Sequence, residues 1–419
     1  MIRIYSLLFF GLIFGENFIY AQRYEIVIKG GHIIDPQNNI NGLMDVAIKD
    51  GKIALVASDI NAKDALQLVN AKGMYVTPGL IDIHTHVFYG NHPDQYLMDA
   101  TTAVVPDGFT FRVGVTTVVD AGSSGWRTFP LFKRQVIDRS QTRVFAFLNI
   151  VGAGMRGGAY EQDTADMDPQ MATDVAITNK EDIVGFKVAH FEAESWTPVD
   201  NAVAAGKLSG MPVMVDFGGD DNHPPLSIEE LFFKHLRPGD IYTHTFTELK
   251  RREPIVDVKT RKLKPFVVTA KKRGIIFDVG FGGASFDFQQ ALPALKSGFY
   301  PNSISTDLHT GSMNAAMKNM LNIMSFFLAM DMPLPEVIKA STWNPAVEIK
   351  HKELGNLSVG TAADIAILNL RTGDFGFWDR NGYKVKGKHR LECEMTIRAG
   401  RIVYDLNGIA DPEIIKNGE

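Results

Sequence analysis

The 419-residue chain contains a single cysteine, Cys393. One cysteine excludes an intrachain disulfide, so the protein must be held together by its hydrophobic core and not by crosslinks. An excess of positive charge is also absent, because the formal net charge is −5. This balance argues against nucleic acid or an anionic membrane surface as the main partner. The composition, 45% hydrophobic and 22% charged, is typical of a soluble globular enzyme.

An apolar run long enough to span a membrane is lacking too. The N-terminal apolar stretch 4–14 is too short for a membrane helix, follows the positively charged start Met1-Ile2-Arg3 and leads to Ala21-Gln22. This layout predicts a secretory signal peptide over residues 1–21 and export, with the periplasm as the expected compartment. We expect no membrane span in the mature chain. Cys393 lies far from the predicted cleavage site, so no cysteine is available there for a lipid anchor.

Both ends of the mature chain are rich in short strand patterns. Turn signals such as Asp50-Gly51 separate β-branched, alternating runs over residues 22–78, and the same pattern returns over residues 353–410. These two segments predict one small β-domain, a β-sandwich built from both termini.

The middle of the chain, residues 79–352, alternates apolar β-branched runs with helical periodicity. Eight such runs in succession predict an α/β fold, a (β/α)8 TIM barrel, with an open doubly wound sheet as the alternative. The runs end near His86, Asp120, Ile150, Val188, Phe217, Thr245, Val279 and Leu308.

Polar and ionisable residues stand at several of these strand ends. His84 and His86 are two positions apart on an extended strand, so both imidazoles project from the same face. Imidazole is the commonest metal ligand, although a pair with this spacing is a weak motif by itself. Since the C-terminal strand ends of a barrel meet in one pocket, the following set predicts a metal site: His84, His86, Lys187, Asp216, His244 and Asp307.

Longer segments around these residues resemble a known family. PGLIDIHTH at 78–86, GFKV at 185–188 and STDLH at 305–309 are similar to signature segments of the amidohydrolase superfamily. The similarity extends over nearly the whole mature chain and is greatest, through segments 114–122, 143–150 and 304–309, to the amidohydrolase/deacetylase branch. Dihydroorotases and dihydropyrimidinases share the layout more distantly.

The resemblance implies a centre of two divalent metal ions, zinc or alternatively manganese. One ion would be held by His84, His86 and Asp307, and the second by His244. Lys187, carboxylated by carbon dioxide, would bridge them. A hydroxide shared between the ions would be the nucleophile, and Asp307 would be the catalytic group that moves its proton.

One residue departs from the family pattern. Asp216 stands where family members usually have a histidine. A carboxylate can bind zinc or manganese, so the second ion could be held through oxygen, or it could be weakly held or absent. The nearby Asp220, Asp221 and His223 could compensate.

Four further residues are candidates for contact with the substrate: Asn149, Arg156, His190 and His309. Arg156 lies in a glycine-rich loop and could bind a substrate carboxylate bidentately. The basic segment 250–264 is the competing anion site, although an exposed loop with scattered charge is the simpler interpretation.

The sequence therefore predicts a metal-dependent hydrolase of a small N-acetyl or O-acetyl carboxylate, acting by deacetylation. The enzymatic alternative is hydrolysis of a cyclic amide, as in dihydroorotases. A barrel that has lost catalysis and acts as a binding or scaffold protein is the alternative of another class. The partner is expected to be a small-molecule substrate, and association of identical subunits is left open.

Overall fold

The computed structural model describes residues 23–90, 102–216, 218 and 224–411. The predicted signal peptide lies outside the described residues, as do Asp220, Asp221 and His223. The strands are β1 (Tyr24–Asp35), β2 (Ile40–Lys49), β3 (Lys52–Ala57), β4 (Ala65–Asn70), β5 (Tyr75–Pro78), β6 (Leu80–Thr85), β7 (Val115–Gly125), β8 (Arg143–Asn149), β9 (Ile183–Val188), β10 (Val213–Val215), β11 (Ile241–Tyr242), β12 (Ile276–Phe277), β13 (Ile365–Trp378), β14 (Lys384–Arg398) and β15 (Arg401–Asp405).

Helices alternate with the strands of the middle region. They are α1 (Phe129–Phe132), α2 (Ala159–Gln162), α3 (Pro169–Thr178), α4 (Thr197–Ser209), α5 (Ile228–Glu230), α6 (Pro265–Arg273), α7 (Phe288–Lys296), α8 (Thr310–Met313), α9 (Met320–Ala329), α10 (Leu334–Lys339) and α11 (Trp343–Glu348). Short 3₁₀ turns cover Ala62–Asp64, Pro106–Gly108, Phe111–Val113 and Thr164–Asp166, and π-helical turns cover Lys133–Ile137 and Leu231–His235. No helix in the described part of the chain has the length and apolar character needed to cross a bilayer.

The strands from the two ends of the chain join one sheet. Its order is β15-β14-β13-β5-β1-β2-β3, and β4 also pairs with β1. The joint is the antiparallel pairing of β13 with β5, in which Ile365 lies opposite Pro78. The structure therefore unites both termini in one sheet and does not confirm a sandwich.

The second sheet is parallel and curled, with the order β12-β11-β10-β9-β8-β7-β6. Its strands are buried along their length, as expected for a parallel sheet covered by helices. The order follows the chain, so each helical connection leads to the neighbouring strand. The open doubly wound alternative, which requires a reversal of strand order, does not fit this sequence of neighbours.

Residues 303–308, predicted as the eighth strand, close the curled sheet without forming a regular strand. On one edge, the N–H groups of Val279 and Phe281 donate to the carbonyls of Ser303 and Ser305, at 3.1 and 3.2 Å. On the other edge, the N–H of His86 donates to the carbonyl of Leu308 at 2.8 Å. The segment thus connects the last strand of the sheet with the first.

Apolar side chains fill the interior of this closed sheet. Ile81, Phe147 and Met214 belong to a buried cluster that also contains Ala346 and Leu354. Helix α11 and the residues after it therefore cap one end of the interior with apolar groups. The polar side chains that are candidates for metal binding lie at the opposite end of the interior, at the carboxyl ends of the strands.

Glu348, the last residue of α11, is 6% exposed. Burial raises its pKa from 4.5 to about 8. Between these values the folded protein keeps a proton that the unfolded chain has lost, so stability falls as the pH rises. One proton accounts for at most about 1.4 kcal/mol per pH unit.

The Glu348→Gln variant should remove this pH-dependent loss. We expect its free energy of unfolding, relative to the wild type, to rise from about pH 5 to about pH 8 in denaturant titrations. The exposed Glu336→Gln on α10 is the control and should show no such trend. A constant difference between Glu348→Gln and the wild type at both pH values would contradict the assignment.

Candidate metal centre

His84, at the end of β6, is held in one tautomer by its neighbours. The Thr243 hydroxyl donates its hydrogen to Oδ2 of Asp278 at 2.7 Å, so it must accept from Nδ1 of His84, 2.9 Å away. The lone pair of His84 therefore lies on Nε2. This nitrogen lies 3.7 Å from Oδ1 of Asp307.

His86 projects to the same carboxylate as His84. Its Nε2 lies 3.0 Å from Oδ1 of Asp307, and its Nδ1 lies 3.0 Å from the Ser123 hydroxyl. Among the described residues, one group of at least three His, Cys, Asp or Glu has all its ligand atoms within 4.8 Å of one another: His84, His86 and Asp307.

The protonation states of this group suit a cation. Burial lowers the pKa of His84 well below its usual value, so the imidazole is neutral. Burial alone would raise the pKa of Asp307, but the hydrogen bond with His86 and the nearby His84 and His309 hold it well below its usual range. The neutral imidazole of His84, the imidazole of His86 and the ionised carboxylate of Asp307 are side chains that zinc or manganese accepts as ligands. The residues present therefore fit a metal ion.

Lys187 lies on β9 and is fully buried. Its Nζ is 3.2 Å from Nε2 of His84 and 3.7 Å from Sδ of Met214. Burial lowers the pKa of the Lys187 amine from 10.5 to about 7. A neutral amine is the form that carbon dioxide can carboxylate, but whether the carbamate forms stays a prediction.

His244 and Asp216 face each other at the ends of the next two strands. Nδ1 of His244 donates to the Gly280 carbonyl at 2.5 Å, so the lone pair of the neutral ring is on Nε2. That Nε2 is 3.1 Å from Oδ2 of Asp216. Two acceptors at this distance require a proton or a cation between them. Gly280 has a φ of +46°, and a Cβ there would lie 2.3 Å from the Thr243 hydroxyl oxygen.

The other oxygen of Asp216 pairs with an arginine that sequence reasoning missed. Nη2 of Arg252 contacts Oδ1 of Asp216, and the two side chains are 6% and 4% exposed. The interpretation of 250–264 as an exposed loop with scattered charge is therefore wrong for Arg252. Lys250 and Arg251, which precede Arg252 in the chain, are exposed. No signal in the sequence distinguishes the buried Arg252 from these two basic neighbours.

Backbone strain is concentrated at the same strand ends. His190, His244 and Asp307 have φ values of +52°, +54° and +55°, in the left-handed region that non-glycine residues seldom adopt. Such conformations cost about 1–3 kcal/mol each and persist where surrounding contacts impose them. Two of the three, His244 and Asp307, are themselves candidate ligands, and the third, His190, lies 3.6 Å from Asp216.

The four predicted substrate contacts lie in different surroundings. The amide of Asn149 donates to the Gly122 carbonyl at 2.9 Å and accepts from the Val151 N–H at 3.0 Å, so the scaffold already uses both of its ends. The guanidinium of Arg156 lies 4.3 Å from the centre of the Tyr160 ring.

His190 and His309 lie closer to the metal-site residues. Nε2 of His190 is 3.6 Å from Oδ2 of Asp216, and Nδ1 is 2.9 Å from Oε2 of Glu161. Nε2 of His309 is 3.9 Å from Oδ2 of Asp307. Contact of these histidines with a substrate stays a prediction, as it does for Asn149 and Arg156.

Two cavities lie near these strands. One, of about 320 Å³, is lined in part by His190, Glu161 and Gly157, and therefore borders the candidate site. The other, of about 210 Å³, is lined in part by Asp82 and Thr306. None of the six candidate ligands lines either cavity, but His190 of the first lies 3.6 Å from Asp216.

A model described as the amidohydrolase family matches residues 255–403. A curated protein of Brucella anthropi named deacetylase is 35% identical over 341 residues, which are 80% of this chain and 81% of that protein. The chain belongs to the amidohydrolase family. It is a hydrolase, and a small-molecule substrate is implied.

Solved structures agree with this assignment. The crystal structure of an adenine deaminase matches with a TM-score of 0.81 and 28% identity, covering 91% of this chain and 100% of that one. The crystal structure of a dihydroorotase matches with a TM-score of 0.78 and 30% identity, covering 91% and 99%. Structures of this superfamily have a TIM barrel, consistent with the closed parallel sheet. The non-catalytic scaffold alternative loses its support, because the relatives are enzymes.

The Asp278→Ala variant should destabilise the folded protein strongly. The Asp278 carboxylate accepts hydrogen bonds from the hydroxyls of Thr243, Ser303 and Ser305 at 2.7, 2.7 and 2.8 Å, and it is fully buried. We expect a loss of about 3–5 kcal/mol in free energy of unfolding, because three buried hydroxyls lose their acceptor.

The control is Asp374→Ala, which removes an exposed partner of Lys388 and should cost less than about 1 kcal/mol. Denaturant titration measures both variants. Equal losses in the two would mean that Asp278 does not organise the strand ends.

Proposed function

We propose that this protein is a metal-dependent hydrolase that deacetylates small N-acetyl or O-acetyl carboxylates. The observation that carries the proposal is the convergence of His84, His86 and Asp307 at one end of a closed parallel sheet. The 35% identity to a protein named deacetylase supports the reaction type.

Each residue of the group has a role that follows from its contacts. Nε2 of His86 lies 3.0 Å from the Asp307 carboxylate. His84 presents its Nε2 lone pair, and the Thr243–Asp278 pair fixes its ring. Such outer contacts orient ligands and raise their affinity for a metal. When bound, the ion supplies Lewis-acid chemistry, activating water near neutral pH and polarising the scissile carbonyl.

Asp307 is the proposed catalytic acid–base. Its ionised carboxylate accepts the proton of the attacking water and returns it to the leaving nitrogen or oxygen as the acetyl C–N or C–O bond breaks. Acetate and the free amino or hydroxy carboxylate are the products. Oδ1 of Asp307 lies 3.7 Å from Nε2 of His84 and 3.0 Å from Nε2 of His86.

Substrate recognition is proposed for the cavity that borders His190. Its volume of about 320 Å³ suits a small carboxylate. Arg156 precedes Gly157, which lines this cavity, and its guanidinium is the proposed partner of a substrate carboxylate. Carboxylation of Lys187 is part of the proposal, since it would replace a buried amine by an anion beside the metal site.

Metal content tests the first requirement. Elemental mass spectrometry should detect a transition metal in the purified protein. Treatment with a chelator should remove both the metal and the activity. His86→Ala should lose most of the metal because it deletes one of three ligands. The exposed His389→Ala is the matched control and should retain it. A wild-type protein purified without metal, and unable to take it up, would exclude this function.

A substrate panel tests the second requirement. N-acetyl amino acids and O-acetyl hydroxy acids should be hydrolysed faster than dihydroorotate and hydantoins. The reverse order would favour cyclic-amide hydrolysis, for which the 30% identical dihydroorotase structure is the supporting observation.

On the best substrate, Lys187→Ala should lose at least about 100-fold in kcat/KM, because the fully buried amine contacts His84. The exposed Lys180→Ala should not change this constant. Full activity of Lys187→Ala would rule out a role for Lys187 in the site.

A further inference from the structure

Arg252 is a buried cation beside Asp216, on the side of the site where the resemblance implies a second metal ion. It is 7% exposed, and its guanidinium pairs with Asp216 through Nη2. Nε and Nη1 have no hydrogen-bond partner among the described residues. Asp216 is therefore the carboxylate partner that the structure gives this charge.

The local backbone makes room for the arginine. Gly218 follows the end of β10 by three residues, and a Cβ there would lie 2.4 Å from Cγ of Arg252. Any larger residue at 218 would have to displace the arginine side chain. The packing of the Arg252 side chain against Gly218 therefore determines its position, as it would not for an exposed surface side chain.

The charge of Arg252 changes what Asp216 can offer a metal. A guanidinium is permanently protonated in proteins, so its positive charge is not removed by a change of pH or by chelator. Oδ1 of Asp216 is occupied by this charge, which leaves Oδ2 and Nε2 of His244, 3.1 Å apart, as the remaining donor atoms. A divalent ion placed between these two atoms would be repelled by the adjacent guanidinium.

We propose that Arg252 supplies the positive charge of the second ion, so that this hydrolase holds one metal ion tightly, at His84, His86 and Asp307. An ion at Asp216 and His244 would be at least about 100-fold weaker. This inference rests on the proposed function, because it assumes that the first group binds a metal. It assigns Arg252 as a positioning residue: it acts through Asp216.

The test is the number of metal ions that stay bound per chain. The full-length protein, loaded with zinc, is dialysed against metal-free buffer without chelator, and its metal is measured by elemental mass spectrometry. The wild type should retain one ion per chain. Arg252→Met should retain close to two, because the freed Asp216 carboxylate and His244 Nε2 can then bind zinc at least about tenfold more tightly.

Lys250→Met is the matched control, since it removes an exposed positive charge two residues away. It should retain one ion per chain. Two ions in the wild type, or one ion in Arg252→Met, would overturn the inference while leaving the proposed function intact. A wild type that binds no zinc would instead refute the proposed function and the inference with it.

A second measurement does not depend on any variant. Calorimetric titration of the metal-free wild type with zinc should give one tight site, with any further site at least about 100-fold weaker. If Arg252→Met fails to fold, this titration decides the matter. Two zinc sites whose affinities differ by less than tenfold would contradict the proposal that Arg252 supplies the positive charge of the second ion.

Discussion

Residues 303–308 lie between the first and last strands of the parallel sheet and hydrogen-bond to both. Thr306 donates to Asp82 from its N–H and its hydroxyl, and the next residue, Asp307, is thereby placed opposite His84 and His86. Without this closure the carboxylate and the two imidazoles would have no reason to meet, because more than 200 residues separate them in the chain. The candidate metal centre therefore depends on how the barrel closes.

Closure also explains why so many polar groups are buried beneath the site. Asp278 accepts hydroxyl hydrogen bonds from Thr243, which follows β11, and from Ser303 and Ser305 in the segment that closes the sheet. Thr243 connects Asp278 to His84. Each of these groups would be costly to bury alone, and together they satisfy one another. The same network fixes the ring tautomers, since Gly280 and Thr243 accept the Nδ1 hydrogens and leave Nε2 of His244 and His84 as donors to a cation.

The strand-5 side of the site is organised by charge. Asp216 lies between the guanidinium of Arg252 and the imidazoles of His190 and His244. The two halves of the site thus differ: one brings an ionised carboxylate to the imidazoles of His84 and His86, and the other contains an internal ion pair.

Much of the fold was predictable because its signals are local. Seven of the eight expected strand positions became regular strands, since β-branched apolar runs bounded by turns need no distant information. The eighth is held by two isolated bridges. Its backbone leaves the regular ladder at Asp307, where φ is positive. The sandwich was expected because both ends of the chain are rich in strand patterns. The pairing of β13 with β5 into one sheet could not be read from either segment alone.

By itself, the sequence determined the parallel strand–helix repeat, the presence of His84, His86, Lys187 and Asp307 at strand ends, and the departure at Asp216. These follow from residue type and spacing, which local geometry translates directly. Only the tertiary structure decided which charge reaches Asp216. Arg252 lies among exposed basic residues in the chain, and its burial results from a loop returning to the strand ends beside Gly218. Such a contact depends on the position of the backbone in space, and spacing along the sequence carries no record of it.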